Sequence, residues 1–134
     1  MRIYLTHCSK DKSLAAKASG EKLPPDQLYI DLGLQEFVTV CKSVGAAWAI
    51  LSDHYGVFAP DETHEYYEKP PASVTPEEEA ILIDQFTRRL GRFQEIWFYI
   101  RPATFHPLYE RILMYSALAD RVHIFSDLGE INKG

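Results

Sequence analysis

Cysteine is scarce in this sequence, whose 134 residues include only Cys8 and Cys41. Two thiols so far apart do not make the disulfide framework on which many small secreted domains depend. Apolar runs long enough to span a bilayer are missing, and the amino-terminal segment has no long apolar region followed by a small-residue cleavage site. We therefore expect a cytoplasmic protein with no membrane-spanning segment.

An excess of positive charge is also absent, because the formal net charge is −5 and the isoelectric point is near 5.5. This balance disfavours a broad cationic face for non-specific binding to a phosphate backbone, although it leaves room for a local basic patch. The sequence contains neither a Walker motif nor G-x-G-x-x-G, so none of the standard phosphate-binding loops is predicted. The length and ordinary composition predict one globular domain over residues 1–134.

The chain alternates strand-like and helix-like segments. Short β-branched, aromatic or uniformly apolar runs predict strands, and apolar residues at helical spacing predict helices. Thr75, Pro76 and Glu78 form a capping-box start for the clearest helix. The predicted strands cover residues 2–6, 46–51, 95–100 and 121–125, and the predicted helices cover residues 25–43, 76–92 and 104–118. Gly33 could split the first of these helices into two pieces. The stretch up to Pro25 is interpreted mainly as a long loop in which residues 14–19 could form a short helical turn, and residues 58–75 are interpreted as an irregular surface loop.

Strands joined by helical crossovers predict a three-layer α/β/α sandwich with a mainly parallel sheet of about four strands. Right-handed crossovers place the carboxyl ends of all these strands on one edge of the sheet. Ligands of open α/β sheets bind in the crevice at that edge. The residues that follow each predicted strand are therefore the candidates for function.

One stretch changes character abruptly at the end of the second predicted strand. The apolar run 46–51 is followed by Ser52, Asp53, His54 and Tyr55, and Gly56 then permits a sharp turn. Polar and titratable groups at such a position favour a binding site, whereas the alternative is an ordinary solvated turn. His7, His54 and His106 each follow a different predicted strand, which favours a common cleft.

Several of these residues also carry a family resemblance. Cys8-Ser9 is followed by Lys12, and residues 51–61 read LS-x-x-YG-x-x-x-PD, with Tyr66 and Tyr67 a few positions later. This pattern resembles a family of small prokaryotic and phage domains with a CS-x-x-K start and an LSAKYGL-type signature. It is similar to a segment of the peroxide-stress protein YaaA and, more distantly, to the internal domain of archaeosine synthase. The resemblance implies an α/β fold, a shared cleft and a link to nucleic acid or its modification.

The residue types allow two kinds of chemistry at the cleft. Cys8 is a candidate nucleophile if neighbouring cations lower the pKa of its thiol, with His54 or His106 as its base and Asp53 orienting the imidazole. The alternative is that Cys8 is a small buried hydrophobe. Lys12 and Arg101, with Lys10, could instead surround a phosphate, and the alternative for the lysines is a solvated loop.

Tyr55, Phe58, Tyr66 and Tyr67 are candidates to stack on a base or, alternatively, to fasten the loop to the sheet. Cys8, His54 and His106 are also metal-ligand types, but none of the spacings typical of zinc sites occurs, so no metal site is predicted. Cys41 is interpreted as a core residue.

The sequence predicts that the protein binds a small-molecule ligand, specifically a nucleotide or a nucleobase-containing molecule. Whether the protein also modifies this ligand chemically is left open. Cys8 and His54 are the catalytic candidates. The ligand-binding candidates are Lys12, Ser52, Tyr55, Arg101 and His106. The alternative is a non-catalytic module that recognises nucleic acid or a protein. Catalysis, cofactor and oligomeric state are left open.

Overall fold

The computed structural model describes residues 1–132, with Pro102 described by its backbone only. The residues described form one mixed sheet whose strand order is β3-β2-β1-β4-β5. The strands are β1 (Arg2–His7), β2 (Trp48–Ser52), β3 (Gly56–Phe58), β4 (Glu95–Tyr99) and β5 (Val122–Phe125). Strands β2, β1, β4 and β5 are parallel, and only β3 runs antiparallel to its neighbour β2. The mainly parallel α/β sheet predicted from the sequence is confirmed.

The helices are α1 (Leu14–Ser19), α2 (Pro25–Leu28), α3 (Leu32–Val44), α4 (Pro76–Leu90) and α5 (Pro107–Tyr115). Residues 14–19, in a stretch predicted mainly as a loop, form helix α1. Helix α4 begins at the predicted capping box, in which the side chains of Thr75 and Glu78 each accept the backbone N–H of the other residue. No helix within residues 1–132 is both long and apolar enough to cross a membrane.

The structure differs from the prediction in two places. Residues 25–43 form two helices, α2 and α3, and the break lies before Gly33, because Tyr29 leaves helical geometry and Asp31 caps α3 by accepting the backbone N–H of Leu34. The described part of the sheet also has five strands rather than about four. The additional strand β3 spans three residues, which is too short for a periodic pattern to be recognised.

The helices cover the sheet in the way that its strand order requires. Helix α3 packs on β1, whereas α4 packs against α5 and against β3. The crossover from β1 to β2 and the crossover from β2 to β4 run in opposite directions, so right-handed connections place α3 on one face and α4 with α5 on the other. The residues of β1 after Arg2 and all residues of β2 are therefore buried, and the three-layer arrangement is confirmed.

The change in crossover direction also determines where the site lies. Strand β1 pairs with β2 on one side and with β4 on the other, and the chain leaves β1 and β4 in opposite directions across the sheet. The carboxyl ends of β1 and β4 thus flank a topological switch point, where helices diverge and leave a crevice. His7 ends β1, and Arg101 lies two residues after the end of β4.

Candidate functional site

A cleft of about 960 Å³ opens at this edge of the sheet. Four of the seven catalytic and ligand-binding candidates line it: Cys8, Lys12, Arg101 and His106. The loop that follows β3 closes one side of the cleft with residues 66 and 68–71. The cleft walls also include Asp31, Asp53, Thr104 and Tyr109.

Arg101 brings a nearly buried guanidinium to the cleft wall. Its side chain is 9 % exposed, and its stem passes over Gly33, where a Cβ atom would lie 3.0 Å from the Arg101 Cδ. The Nη atoms donate to Thr6 Oγ1 at 3.4 Å and to the Cys8 carbonyl at 3.3 Å. The Nε atom has no hydrogen-bond partner within residues 1–132, and its closest carboxylate oxygen, Asp31 Oδ2, is 3.7 Å away. The guanidinium is thus only partly satisfied by the protein.

His7 supports Arg101 from below the cleft. Its ring is buried, stacks on the ring of Tyr109 at 5.0 Å between centroids, and places Nδ1 3.1 Å from Arg101 Nη2 and 2.9 Å from the Cys8 carbonyl oxygen. Burial, and then the charge of Arg101, lower the pKa of His7 to about 4. At neutral pH His7 is therefore an uncharged residue that positions Arg101.

Lys12 contributes a second nearly buried cation. The residue is 8 % exposed, and its Nζ lies 4.4 Å from the centre of the Tyr67 ring. The ammonium group has three protons to donate, yet its hydrogen bond in residues 1–132 is a contact of 3.5 Å to the carbonyl of Lys10. Like Arg101, Lys12 retains donors for a group that enters the cleft.

Cys8 belongs to a buried network of polar side chains. Its Sγ lies 3.5 Å from Asp53 Oδ1 and 3.2 Å from the hydroxyl of Tyr109. The Tyr67 hydroxyl donates to the same Asp53 oxygen at 3.0 Å and lies 2.9 Å from Ser52 Oγ and 2.8 Å from the Tyr29 hydroxyl. Residues from five separate segments thus meet in one network.

The electrostatics of this network favour a protonated thiol. Burial, followed by the negative charge of Asp53, raises the pKa of Cys8. The condition for an activated nucleophile, a thiol pKa lowered by neighbouring cations, is therefore not met. Burial also raises the pKa of Asp53, while the hydrogen bonds from Tyr67 and Cys8 and the charge of Lys12 oppose that effect.

His54 and His106 do not stand beside the thiol. His54 is exposed, and its ring packs on the rings of Tyr55 and Tyr67 at 4.6 and 4.9 Å between centroids. His106 lines the cleft, but its Nδ1 accepts the backbone N–H of Leu108 at the start of α5. Asp53 contacts the thiol directly rather than an imidazole, so a catalytic role for His54 stays a prediction without a supporting contact.

Ser52 and Tyr55 act behind the cleft. Ser52 is fully buried, and its Oγ accepts the backbone N–H groups of His54 and Tyr55, which stabilises the turn after β2. The Tyr55 ring stacks on His64 at 3.9 Å between centroids, and its hydroxyl donates to the carbonyl of Glu65. Tyr55 therefore fastens the long loop to the sheet, as in the second of the two sequence interpretations.

The sequence interpretation missed several residues of the site. Tyr29 and Asp31 fall in the break between α2 and α3, inside the segment 25–43 predicted as helical, and Tyr109 falls inside the predicted helix 104–118 with no role assigned to it. A tyrosine on the apolar face of a helix fits the sequence pattern equally well whether its hydroxyl is hydrogen-bonded inside the protein or exposed to water. The sequence therefore gives no signal that separates these two cases. Within the described residues, no three His, Cys, Asp or Glu side chains are grouped as metal ligands would be.

Comparison of this chain with family models, with curated proteins and with solved structures gives no match. The functional interpretation therefore depends on the geometry of the site itself.

Proposed function

We propose that this protein binds a nucleotide or nucleobase-containing ligand in the cleft, with the anionic group of the ligand against Arg101 and Lys12. The observation that carries the proposal is that two nearly buried cations, Arg101 and Lys12, line the same cleft. A buried charge that is only partly paired is costly. A phosphate or carboxylate in the cleft accepts charge-assisted hydrogen bonds from such cations, which would reduce that cost.

Lys12 supports an anionic ligand independently of Arg101. Two cations that are each more than nine-tenths buried line the same cleft, and each keeps unused donors. The carboxylates of the cleft walls compensate only part of this charge. Asp53 and Lys12 attract each other, Asp31 stands 3.7 Å from Arg101, and Glu68 is paired with Lys17. An anion in the cleft would complete the pairing.

The remainder of the cleft suits a base and a sugar. Its volume of about 960 Å³ is at the upper end of the range of about 300–1,000 Å³ that is usual for small-molecule sites. The half-buried Tyr66 in its wall offers aromatic surface for contact with a planar ring. The resemblance carried by Cys8, Lys12 and the segment 51–61 agrees with a ligand of this class.

The proposal is restricted to binding, because a protonated Cys8 gives no specific support to nucleophilic chemistry. Recognition of nucleic acid or of a protein partner, and oligomerisation, stay predictions from the sequence.

Isothermal titration calorimetry with nucleoside monophosphates, and with inorganic phosphate as the minimal anion, tests the proposal. We expect Arg101→Gln to weaken binding of nucleoside monophosphates by about 10-fold to 100-fold, because the variant loses charge-assisted hydrogen bonds. Arg2→Gln is the matched control, since Arg2 also has a buried Nε without a partner but lies at the opposite end of β1 and is paired with Glu95. Absence of binding to the wild-type protein, or equal affinity in Arg101→Gln, would contradict the proposal.

A further inference from the structure

The hydroxyl groups of the buried network donate toward a common acceptor, as the number of protons and acceptor sites on each group shows. Ser52 Oγ already accepts two backbone N–H groups, so its own proton is directed at the Tyr67 hydroxyl oxygen. Tyr67 gives its only proton to Asp53 Oδ1, and its oxygen therefore accepts from Tyr29 as well. Three hydroxyl groups are thus aligned so that the chain of donors ends on one carboxylate oxygen.

A second branch ends on the same atom. The Cys8 thiol donates to Asp53 Oδ1 at 3.5 Å, which leaves the sulfur free to accept from the Tyr109 hydroxyl at 3.2 Å. Sulfur is a weak donor and acceptor, so the contribution of this branch is mainly to hold the carboxylate in position. Asp53 Oδ1 therefore accepts hydrogen bonds from both Tyr67 and Cys8.

The other oxygen of the carboxylate has a different environment. Within the part of the chain that the structure describes, no side chain donates to Asp53 Oδ2, and Asp53 lines the cleft. Oδ2 is not among the fully buried atoms without a partner in that part of the chain, which are the Nε atoms of Arg2 and Arg101. It therefore keeps some access to the cleft, although Asp53 as a whole is only 3 % exposed. The network thus fixes the orientation of Asp53 and leaves one acceptor facing the ligand space.

We propose that Asp53 Oδ2 determines which ligand is selected, by accepting a hydrogen bond from the exocyclic amino group of a nucleobase. This inference deepens the proposed function and depends on it. Arg101 and Lys12 bind the anionic group of the ligand, and Asp53 recognises its base. The class of ligand is then a nucleotide with an amino-bearing base. A base without that donor would bury the carboxylate oxygen unpaired, which is the usual origin of strong discrimination between related ligands.

The test compares ligand pairs that differ only in the amino group. The probes are adenosine 5′-monophosphate against purine riboside 5′-monophosphate, and cytidine 5′-monophosphate against pyrimidin-2-one riboside 5′-monophosphate. We expect the wild-type protein to bind the amino-bearing member of at least one pair about 10-fold to 100-fold more tightly. Equal affinity within both pairs would overturn the inference without any variant having to fold.

Asp53→Asn sharpens the test because its amide oxygen still accepts from Tyr67, while an NH₂ group replaces the acceptor that faces the cleft. We expect this variant to lose the preference for the amino-bearing ligand. Asp31→Asn, a second aspartate of the cleft wall, should change the affinity for both members of a pair equally and leave the preference unchanged.

The outcomes separate the two proposals. If wild type binds these nucleotides and Asp53→Asn, folded by circular dichroism, keeps the full preference, the role of Asp53 is overturned while the proposed function survives. If none of the four nucleotides binds wild type, the proposed function is overturned and the inference with it.

Discussion

The Tyr67 hydroxyl donates to Asp53 Oδ1 across 3.0 Å, and this bond joins the loop after β3 to the turn after β2. The two residues are separated by 14 positions, and both are nearly buried. The contact connects a surface loop to the polar network at the sheet edge. It therefore contributes both to stability and to the shape of the cleft.

Tyr67→Phe should lower the free energy of unfolding by about 1–3 kcal/mol, since the hydroxyls of Ser52 and Tyr29 lose their acceptor inside the protein. The adjacent Tyr66→Phe is the control, because the Tyr66 hydroxyl bonds only to the exposed Glu68 within residues 1–132. We expect its effect to stay within about 0.5 kcal/mol. Urea unfolding of both variants measures the difference, and equal losses would show that the network does not stabilise the fold.

Both thiols should be unreactive in the folded protein. Burial raises the pKa of Cys41 to about 12, and burial with the Asp53 charge raises the pKa of Cys8, so neither forms much thiolate at pH 7.5. We expect slow reaction with Ellman's reagent under native conditions and rapid reaction of both thiols in guanidinium chloride.

Cys8→Ser, compared with wild type, assigns any thiol that does react. Rapid native labelling that disappears in this variant would show that Cys8 is activated, in conflict with its surroundings. Such a result would support the hypothesis that Cys8 is a nucleophile.

The stability of the protein should decrease as the pH falls below about 6.5. The folded pKa of His7 is about 4, against an ordinary value of 6.5, so the unfolded chain binds more protons between these two values. The contribution of neutral His7 is therefore fully present above pH 6.5 and is lost progressively on the way down to pH 4. The 2.5-unit difference corresponds to about 3 kcal/mol.

Urea unfolding at pH 7.5 and pH 4.5 checks this expectation. His7→Gln should reduce the dependence. The remainder comes from His64 and from the glutamates whose pKa is also lowered in the folded protein, namely Glu62, Glu68, Glu78 and Glu95. A wild-type pH dependence that persists undiminished in His7→Gln would assign it to other groups.

Gly56→Ala should destabilise the protein more than Gly20→Ala does. Both glycines have left-handed backbones, with φ of 73° and 70°, so each substitution carries strain of about 1 kcal/mol. A Cβ atom at Gly20 meets open space, whereas at Gly56 it collides with the Gln85 side chain, whose Oε1 accepts the Val57 backbone N–H at 2.9 Å. The collision should add about 1–3 kcal/mol.

Thermal and urea unfolding of the two alanine variants measure the difference. Equal losses in Gly56→Ala and Gly20→Ala would mean that the contact between Gln85 and β3 is not needed to hold the edge of the sheet.

Local patterns were sufficient for most of the fold. Continuous apolar runs identify the strands buried on both faces, and Thr75 with Glu78 marks the start of α4 because a capping box is completed within a few residues. The same patterns indicated that polar residues collect at the carboxyl edge. They could not reveal β3, which exists because Gly56 turns the chain and Gln85 supplies a hydrogen bond from α4.

What the sequence alone determined is therefore the alternation of strands and helices and the edge at which Cys8 and Arg101 lie. Tertiary structure decided which of the two adjacent residues Asp53 and His54 faces the cleft and which faces solvent. The physical reason is that side-chain direction after a strand depends on the turn geometry, and the acceptors and donors around Asp53 come from segments far apart in the chain. Those partners meet only when the sheet and both layers of helices have packed.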